Sequence, residues 1–553
     1  MKKYLLLLVV FVSALDINAK QGTSQTEKDK IYDLNFNSKK YTTEESELNG
    51  KTIVYRVYKN IVYVSNPIDK KYQCMNIFIP EEYFKGQTVN DYNKDSAPIF
   101  LPNNVGGYMP ATPGTVANDK SQDRPQMGGN RGGGMPPMPG GGSNRNGGMN
   151  GGGKGNPGGG MPPMGGQPNG NMPMIPRMMG RQNTILQALA RGYVVASPGA
   201  RGRSLQDKNG TYYGKAPAFV VDLKAAVRYL RYNDKVMPGN AERIISNGTS
   251  AGGALSALLG ASGNSKDYDS YLKEIGAADA NDNIFAVSAY CPITNLDHAD
   301  AAYEWLFNGV NTYPKRGMGM FNFEKQSKEE VNTLTDKEID VSNKLKALFT
   351  PYVNSLKLTT KDGTQLTLDN EGNGTFKNYV MSFVIASAQK ALNGGTDLSK
   401  ISWLTIENGK VTGMDFNKYV QNIKRQKSPS AFDALDLSTA ETIEFGTSSV
   451  NAQHFTTFGL ENSTVKSTMA DVQIIKMMNP MSYFGTTDAT PAKHWRIRHG
   501  TIDRDGSIAI PIILATKLQN DGYDVDIALP WNTPHSGDYD LTELFNWIDG
   551  LCK

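Results

Sequence analysis

Cysteine and histidine are scarce in this chain of 553 residues, which carries three of the first and five of the second. Three cysteines (Cys74, Cys291, Cys552) exclude a disulfide-framed scaffold: at most one internal bridge is possible, and one thiol is left over. Cys291 lies in the apolar run Phe285–Ile293 and reads as a buried thiol. The few histidines confine any general base to His298, His454, His494, His499 or His535. A charge excess is missing as well. The 58 Lys+Arg against 54 Asp+Glu leave a formal +4, and no basic stripe is interleaved with aromatics, so nucleic acid is not expected as a partner. Beyond the first residues no apolar run approaches membrane-spanning length. The start itself, "MKKYLLLLVVFVSALDINA", has two lysines, an apolar run too short to span, and a small residue at Ala19. It reads as a secretory signal over residues 1–19, which implies a periplasmic or secreted protein. No metal or other cofactor is called for. "DANDN", with Asp279, Asp282 and Asn283, lacks the later Glu and the glycine spacing of a calcium loop and reads as a solvated loop.

What is present falls into blocks. Residues 20–45 are polar and read as a tether. Residues 46–294 form a first core segment, opening with strand-like runs "TIVYRVYKNIVYV", "QCMNIFIP" and "PIFLPN". It is interrupted at 126–180 by a Gly/Pro/Met-rich stretch without hydrophobic period, read as a disordered insertion. Its glycine periods are too irregular for collagen, and the G-K-[ST] ending of a phosphate loop is absent. After it come "TILQALARGYVVASPGARGR" (helix, then strand), the amphipathic helix "AFVVDLKAAVRYLRYN" and the buried strand "IFAVSAYCPIT". Residues 295–480 turn to helical patterns with a hairpin-like "LTLDNEGNGTF", a separate lobe. Residues 481–553 return to strand, helix, strand, helix. Strands alternating with helices predict a mainly parallel, doubly wound α/β sheet flanked by helices.

One stretch carries chemistry. In "ISNGTSAGGALSALL", Gly248-Thr249-Ser250-Ala251-Gly252 fits G-x-S-x-G at the end of a β-branched strand and the start of a small-residue helix. There a serine hydroxyl sits on a tight turn, facing the amide end of the helix. Such a nucleophile needs a base and a carboxylate orienting it, in the chain order Ser, Asp or Glu, His. His535 alone follows the last strand pattern, "DVDIALPW". Asp503, just past the strand "HWRIRHG", is the acid, with Asp505 as competitor, and His499 reads as a structural hydrogen-bonder. The Ala251 amide and an amide from Gly106 or Gly107, in "PNNVGGYMP", are the candidate oxyanion donors.

Taken together, "GTSAGGALSALLGASGNS", "RHGTIDRD", "TPHSGDYDL" and "APIFLPNNVGGY" resemble the bacterial tannases of the α/β-hydrolase superfamily, the subtype with a large lid lobe. The resemblance implies an α/β-hydrolase fold with residues 295–480 as a mostly helical lid, and hydrolysis of galloyl esters by Ser250, Asp503 and His535. It further implies that a lid lysine and glutamate, falling on Lys427 and Glu441 in "KSPSAFDALDLSTAE", and an aspartate falling on Asp505 bind the three gallate hydroxyls. Fungal tannases and feruloyl esterases carry cysteines beside the serine and histidine; here the neighbours are Thr249 and Pro534. The partner so implied is a small galloyl or related aromatic ester. The alternatives are a feruloyl or other aromatic-acid esterase with the same machinery, and a hydrolase-fold binding protein without catalysis. An exopeptidase is disfavoured because no acidic anchor for a peptide amine can be assigned.

Overall fold

Nine strands form one sheet in the computed structural model, which describes residues 31–116, 183–315 and 331–553. In chain order they are β1 (Thr42–Leu48), β2 (Lys51–Val62), β3 (Cys74–Pro80), β4 (Pro98–Asn103), β5 (Val194–Pro198), β6 (Asn240–Thr249), β7 (Ala286–Tyr290), β8 (His494–Arg498) and β9 (Asp524–Ala528). Their order in space is β1-β2-β3-β5-β4-β6-β7-β8-β9. From β5 to β9 all neighbours are parallel, and β1, β2 and β3 form an antiparallel flank. The helices α1 (Thr184–Ala190), α2 (Ala218–Tyr232), α3 (Ala251–Ala261), α4 (Ala509–Asn520) and α5 (Leu541–Cys552) connect or follow these strands. This is the doubly wound α/β sheet that the sequence predicts.

Central strands covered on both faces carry apolar residues throughout. Ile244 and Ile245 of β6, Val287 of β7, and Trp495 and Ile497 of β8 have no solvent exposure. Each such side chain contributes roughly 1.5–3 kcal/mol by leaving water. Helix α3 lies unusually close to the sheet because its inner residues are small: a Cβ at Gly260 would overlap the Val287 side chain, and one at Gly253 would sit 2.6 Å from the Tyr290 carbonyl. Beside it, Asp222 of α2 accepts from the Arg201 backbone (2.8 Å) and guanidinium (2.9 Å), a buried pair.

Residues 291–493, between β7 and β8, hold a mostly helical insertion. Its apolar centre is an aromatic cluster in which Trp305 meets Phe349, Phe376 and Phe416 at ring distances of 5.2, 5.8 and 5.6 Å. Tyr419 donates to the Thr501 carbonyl (2.6 Å) and the Trp403 ring lies tilted against Trp531 (5.6 Å), so the insertion rests on the loops that leave β8 and β9.

Three expectations need correction. The stretch read as a tether becomes ordered before residue 45: Phe36 is buried and β1 begins at Thr42, turning into β2 through Asn49-Gly50, both at positive φ. The signal is weak because this edge strand is polar and alternately exposed. "LTLDNEGNGTF" is not a hairpin. Asp369 Oδ1 accepts from the Glu371 and Asn373 amides to make a tight turn, and Thr375 already begins a helix. The hairpin of this region is Leu404–Glu407 with Lys410–Met414, joined at Asn408-Gly409, the dipeptide such turns favour. Finally, Asp282 of "DANDN" is not solvated: it is fully buried, paired with Lys224 Nζ and Arg228 Nε, each at 2.8 Å. The expected signal (1–19) and the Gly/Pro/Met-rich stretch (126–180) lie outside the described residues.

Candidate active site

Ser250 occupies the junction of β6 and α3 with φ 60° and ψ −123°, a backbone region that side-chain-bearing residues rarely adopt. A serine at a helix start ordinarily turns its oxygen back onto the first amides. Here it makes no such bond, and the residue is only half-buried, so its hydroxyl is available. The turn is held from both sides. The Ser250 amide donates to the Tyr290 carbonyl (3.0 Å), and a Cβ at Gly248 would overlap the Gly252 carbonyl. The two motif glycines are required by this close approach, not by softness of the helix start.

The pair expected beside it is formed. Asp503 Oδ2 lies 2.8 Å from His535 Nδ1, and Asp503 Oδ1 accepts from the Asp505 amide (2.9 Å). Burial alone would push the Asp503 carboxyl up, but the adjoining His499 and His535 rings and its two hydrogen bonds bring it down to about 2. Since a carboxylate only accepts, Nδ1 is the protonated nitrogen and Nε2 faces outward with its lone pair. Burial would lower the His535 pKa, yet the Asp503 charge and hydrogen bond carry it well above 6.5. The His535 loop is pinned to the elbow itself: Gly537 packs so tightly on Thr249, the residue before Ser250, that a Cβ would overlap its hydroxyl. His499 differs from expectation. It is buried with neither ring nitrogen hydrogen-bonded, and its Nδ1 stands 3.6 Å from Asp503 Oδ2.

Cys291 is buried as predicted, but its position was not foreseen. Its Sγ donates to the Ser536 carbonyl (3.4 Å) and lies 4.0 Å from His535 Nε2. The signal was topological: Tyr290 is level with Thr249 on one side and Arg498 on the other, so the residue after β7 must emerge beside Ser250 and the acid loop.

The loop after β4 reaches the same end of the sheet. A Cβ on Gly252 would meet the Val105 carbonyl at 2.8 Å, so the chain leading into Gly106 and Gly107 runs against the first turn of α3, next to Ala251. Gly107 has φ 55°, and its carbonyl accepts from Arg203 Nε (2.8 Å). Strands β4, β6, β7, β8 and β9 thus each contribute at their carboxyl ends, where open parallel sheets build their sites.

The three remaining candidates also converge. Lys427 Nζ is 3.3 Å from Asp505 Oδ2 and 4.3 Å over the Phe432 ring. Burial would raise the Asp505 carboxyl, but Lys427 and His535 hold it below its ordinary range. Glu441 is pushed up by burial and by Asp505, with Lys427 and Arg203 opposing. Its neighbour Glu444 is fully buried with both carboxylate oxygens unpartnered, and burial together with Glu441 pushes its carboxyl well above the ordinary range, with Arg203 opposing. Tyr303 aligns this group with the acid loop. Its buried hydroxyl accepts from the Gln426 (3.0 Å) and Lys427 (3.1 Å) amides and donates to the Arg504 carbonyl (3.1 Å). Arg203 and Tyr303 carried no sequence signal, because each works through a partner distant in the chain, and Glu444 looks like any acidic residue of a short helix until its burial is seen.

Comparison with known proteins decides the family. A tannase from Fusobacterium nucleatum shares 48% identity over 94% of this chain and 100% of its own, with a TM-score of 0.80. The chain belongs to the tannases. The tannin acyl hydrolase of Lactobacillus plantarum is similar at 43% identity, over 94% of this chain and 99% of that one, with a TM-score of 0.79. A structure of tannin acyl hydrolase in complex with ethyl gallate matches at 43% identity with the same coverage and a TM-score of 0.78. The BD-FAE family model matches residues 174–339. Curated protein sequences gave no match. As a tannase of the α/β-hydrolase fold, the chain is a carboxylic ester hydrolase. No helix among the described residues is long and apolar enough to cross a membrane.

Proposed function

We propose that this tannase cleaves galloyl esters through an acyl-enzyme on Ser250. His535 Nε2 takes the Ser250 proton as the hydroxyl attacks the ester carbonyl, then returns it to the departing alcohol; a water repeats the sequence to release gallate. Asp503 holds the imidazole in the required tautomer and stabilises its charged form. The Ala251 amide and that of Gly106 or Gly107 receive the oxyanion at the positive end of α3. Lys427, Glu441 and Asp505 meet the three ring hydroxyls, and the insertion between β7 and β8 serves as the lid that closes the acyl pocket. The N-terminal stretch directs export, which its two lysines, apolar run and Ala19 support.

The observation that carries the reading is the pair of aspartates in "DRD". Two residues apart, one faces the imidazole and the other a lysine from the insertion. Phenol hydroxyls are donors, so a trihydroxybenzoyl pocket needs acceptors beside the cleavage point, which Asp505 and Glu441 supply. The kinship with a tannin acyl hydrolase seen with ethyl gallate supports the same substrate class. The test is kcat/KM on methyl gallate, protocatechuate, ferulate and benzoate. A pocket built to bind hydroxyls rejects analogues without them by roughly ten-thousand-fold, so gallate should lead, protocatechuate follow, and ferulate and benzoate trail. Ferulate cleaved as fast as gallate would replace this reading with a general aromatic-acid esterase.

A further inference from the structure

The ligand-bearing atoms of Cys291, Asp503 and His535 lie within 4.8 Å of one another. We propose that this cluster captures a soft divalent cation, of the zinc or cadmium kind, and that capture reversibly blocks the esterase. The blocking half of the inference rests on His535 being the base; the binding half does not.

The geometry separates the roles. Asp503 already occupies Nδ1 at 2.8 Å, the orienting contact that metal-binding histidines make behind the ring, and this leaves the Nε2 lone pair free. Facing Nε2 are Cys291 Sγ at 4.0 Å and Asp505 Oδ2 at 3.9 Å. A tetrahedral zinc with ordinary bond lengths holds its sulfur and nitrogen donors about 3.6 Å apart, so the thiol and imidazole need to close by only about 0.4 Å. Thiolate and imidazole, with water completing the shell, are donors that suit zinc rather than calcium or magnesium. On binding, the Cys291 thiol gives its proton to solvent as the metal–sulfur bond forms, a charged His535 likewise gives up its Nε2 proton before contributing that lone pair, and nothing is oxidised or reduced. The site is reachable, since the His535 side chain is 25% exposed while Cys291 and Asp503 lie beneath it. The cation consumes the lone pair that would accept the serine proton. This metal is an inhibitor, not a cofactor.

The experiment has two arms. In the first, hydrolysis of an ester is followed against rising Zn2+, with each variant referred to its own metal-free rate. Inhibition should be reversed by a chelator, and Cys291→Ala should raise the inhibition constant at least about 10- to 100-fold. Cys291→Ser serves as the second variant should the alanine form fail to fold. In the second, Cd2+ is titrated into Ser250→Ala and the ultraviolet cadmium–thiolate absorption recorded. It should saturate at one equivalent, survive in Cys74→Ala and Cys552→Ala, and disappear on adding Cys291→Ala or His535→Ala. Absence of that absorption, or Zn2+ inhibition unchanged by Cys291 replacement, overturns the proposal. Stoichiometric binding without inhibition would sustain the site and overturn the assignment of His535 as base.

Discussion

Lys427 of the insertion and Asp505 of the loop after β8 form an ion pair, Nζ to Oδ2 at 3.3 Å, two residues from the carboxylate that holds His535. On the proposed function, acyl recognition and proton transfer share one short segment, and substitutions along it should separate cleanly by substrate.

Asp503→Asn and Asp505→Asn are the first pair. On an activated acetate ester, Asp503→Asn should lose about 10,000-fold in kcat, the size of loss seen when a triad acid can no longer fix the tautomer. Asp505→Asn should lose far less on acetate and much more on methyl gallate. Ser250→Ala should fall about a million-fold on both. Equal losses for the two aspartates on acetate would reverse their roles.

Lys427→Ala and Glu441→Ala should each cost about 1–3 kcal/mol in kcat/KM with methyl gallate, the usual consequence of unsatisfying a buried polar partner. Both should leave acetate hydrolysis nearly intact. If acetate and gallate suffer alike, the pair is structural.

The pH profile follows from the raised pKa of His535. The base acts only when neutral, so a folded-state pKa above 6.5 moves the acid limb of kcat/KM to higher pH than an ordinary imidazole would give. Activity should be lost as pH falls through that raised value. In Asp503→Asn, where the charge that raises it is gone, the residual activity should have its acid limb displaced downward. A limb that stays put would mean another group titrates.

Gly537→Ala tests the clasp between the base loop and the elbow. The new methyl collides with Thr249 and must push His535 away from Ser250. A displacement near 1 Å should reduce kcat on the order of 100-fold with little change in KM. Thr249→Ala, which removes two of the three atoms met, should recover part of the loss, as read by kcat alongside the melting temperature.

Much of the architecture was legible because buried parallel strands are written as apolar runs and the elbow as a glycine-flanked serine. Ser250, Asp503 and His535 were placed by motif and chain order, and the structure brings the last two into contact. Lys427 and Glu441 were placed by resemblance alone, since a lysine and a glutamate in a polar helical region look like any solvated pair. What stayed hidden depends on neighbours across the chain. Tyr303 is one aromatic among several until its hydroxyl meets two amides 123 and 124 residues away. Cys291 is an ordinary apolar-run cysteine until β7 is set between β6 and β8. The polar strand β1 lacks an apolar period altogether, being paired on one edge only.

The Tyr303 hydroxyl holds Lys427 and Arg504 to one oxygen, so the span from the ring-hydroxyl contacts to the imidazole is set by a rigid phenol and not by loop slack. The enzyme in effect carries a caliper. On the proposed reading of the site, an acid whose carbonyl sits directly on the ring would fill the gap, whereas one with a vinyl spacer would put its carbonyl or its hydroxyls out of reach. New acyl chain lengths would then be acquired by resetting the jaw at Tyr303, not by repainting the polar groups that line it.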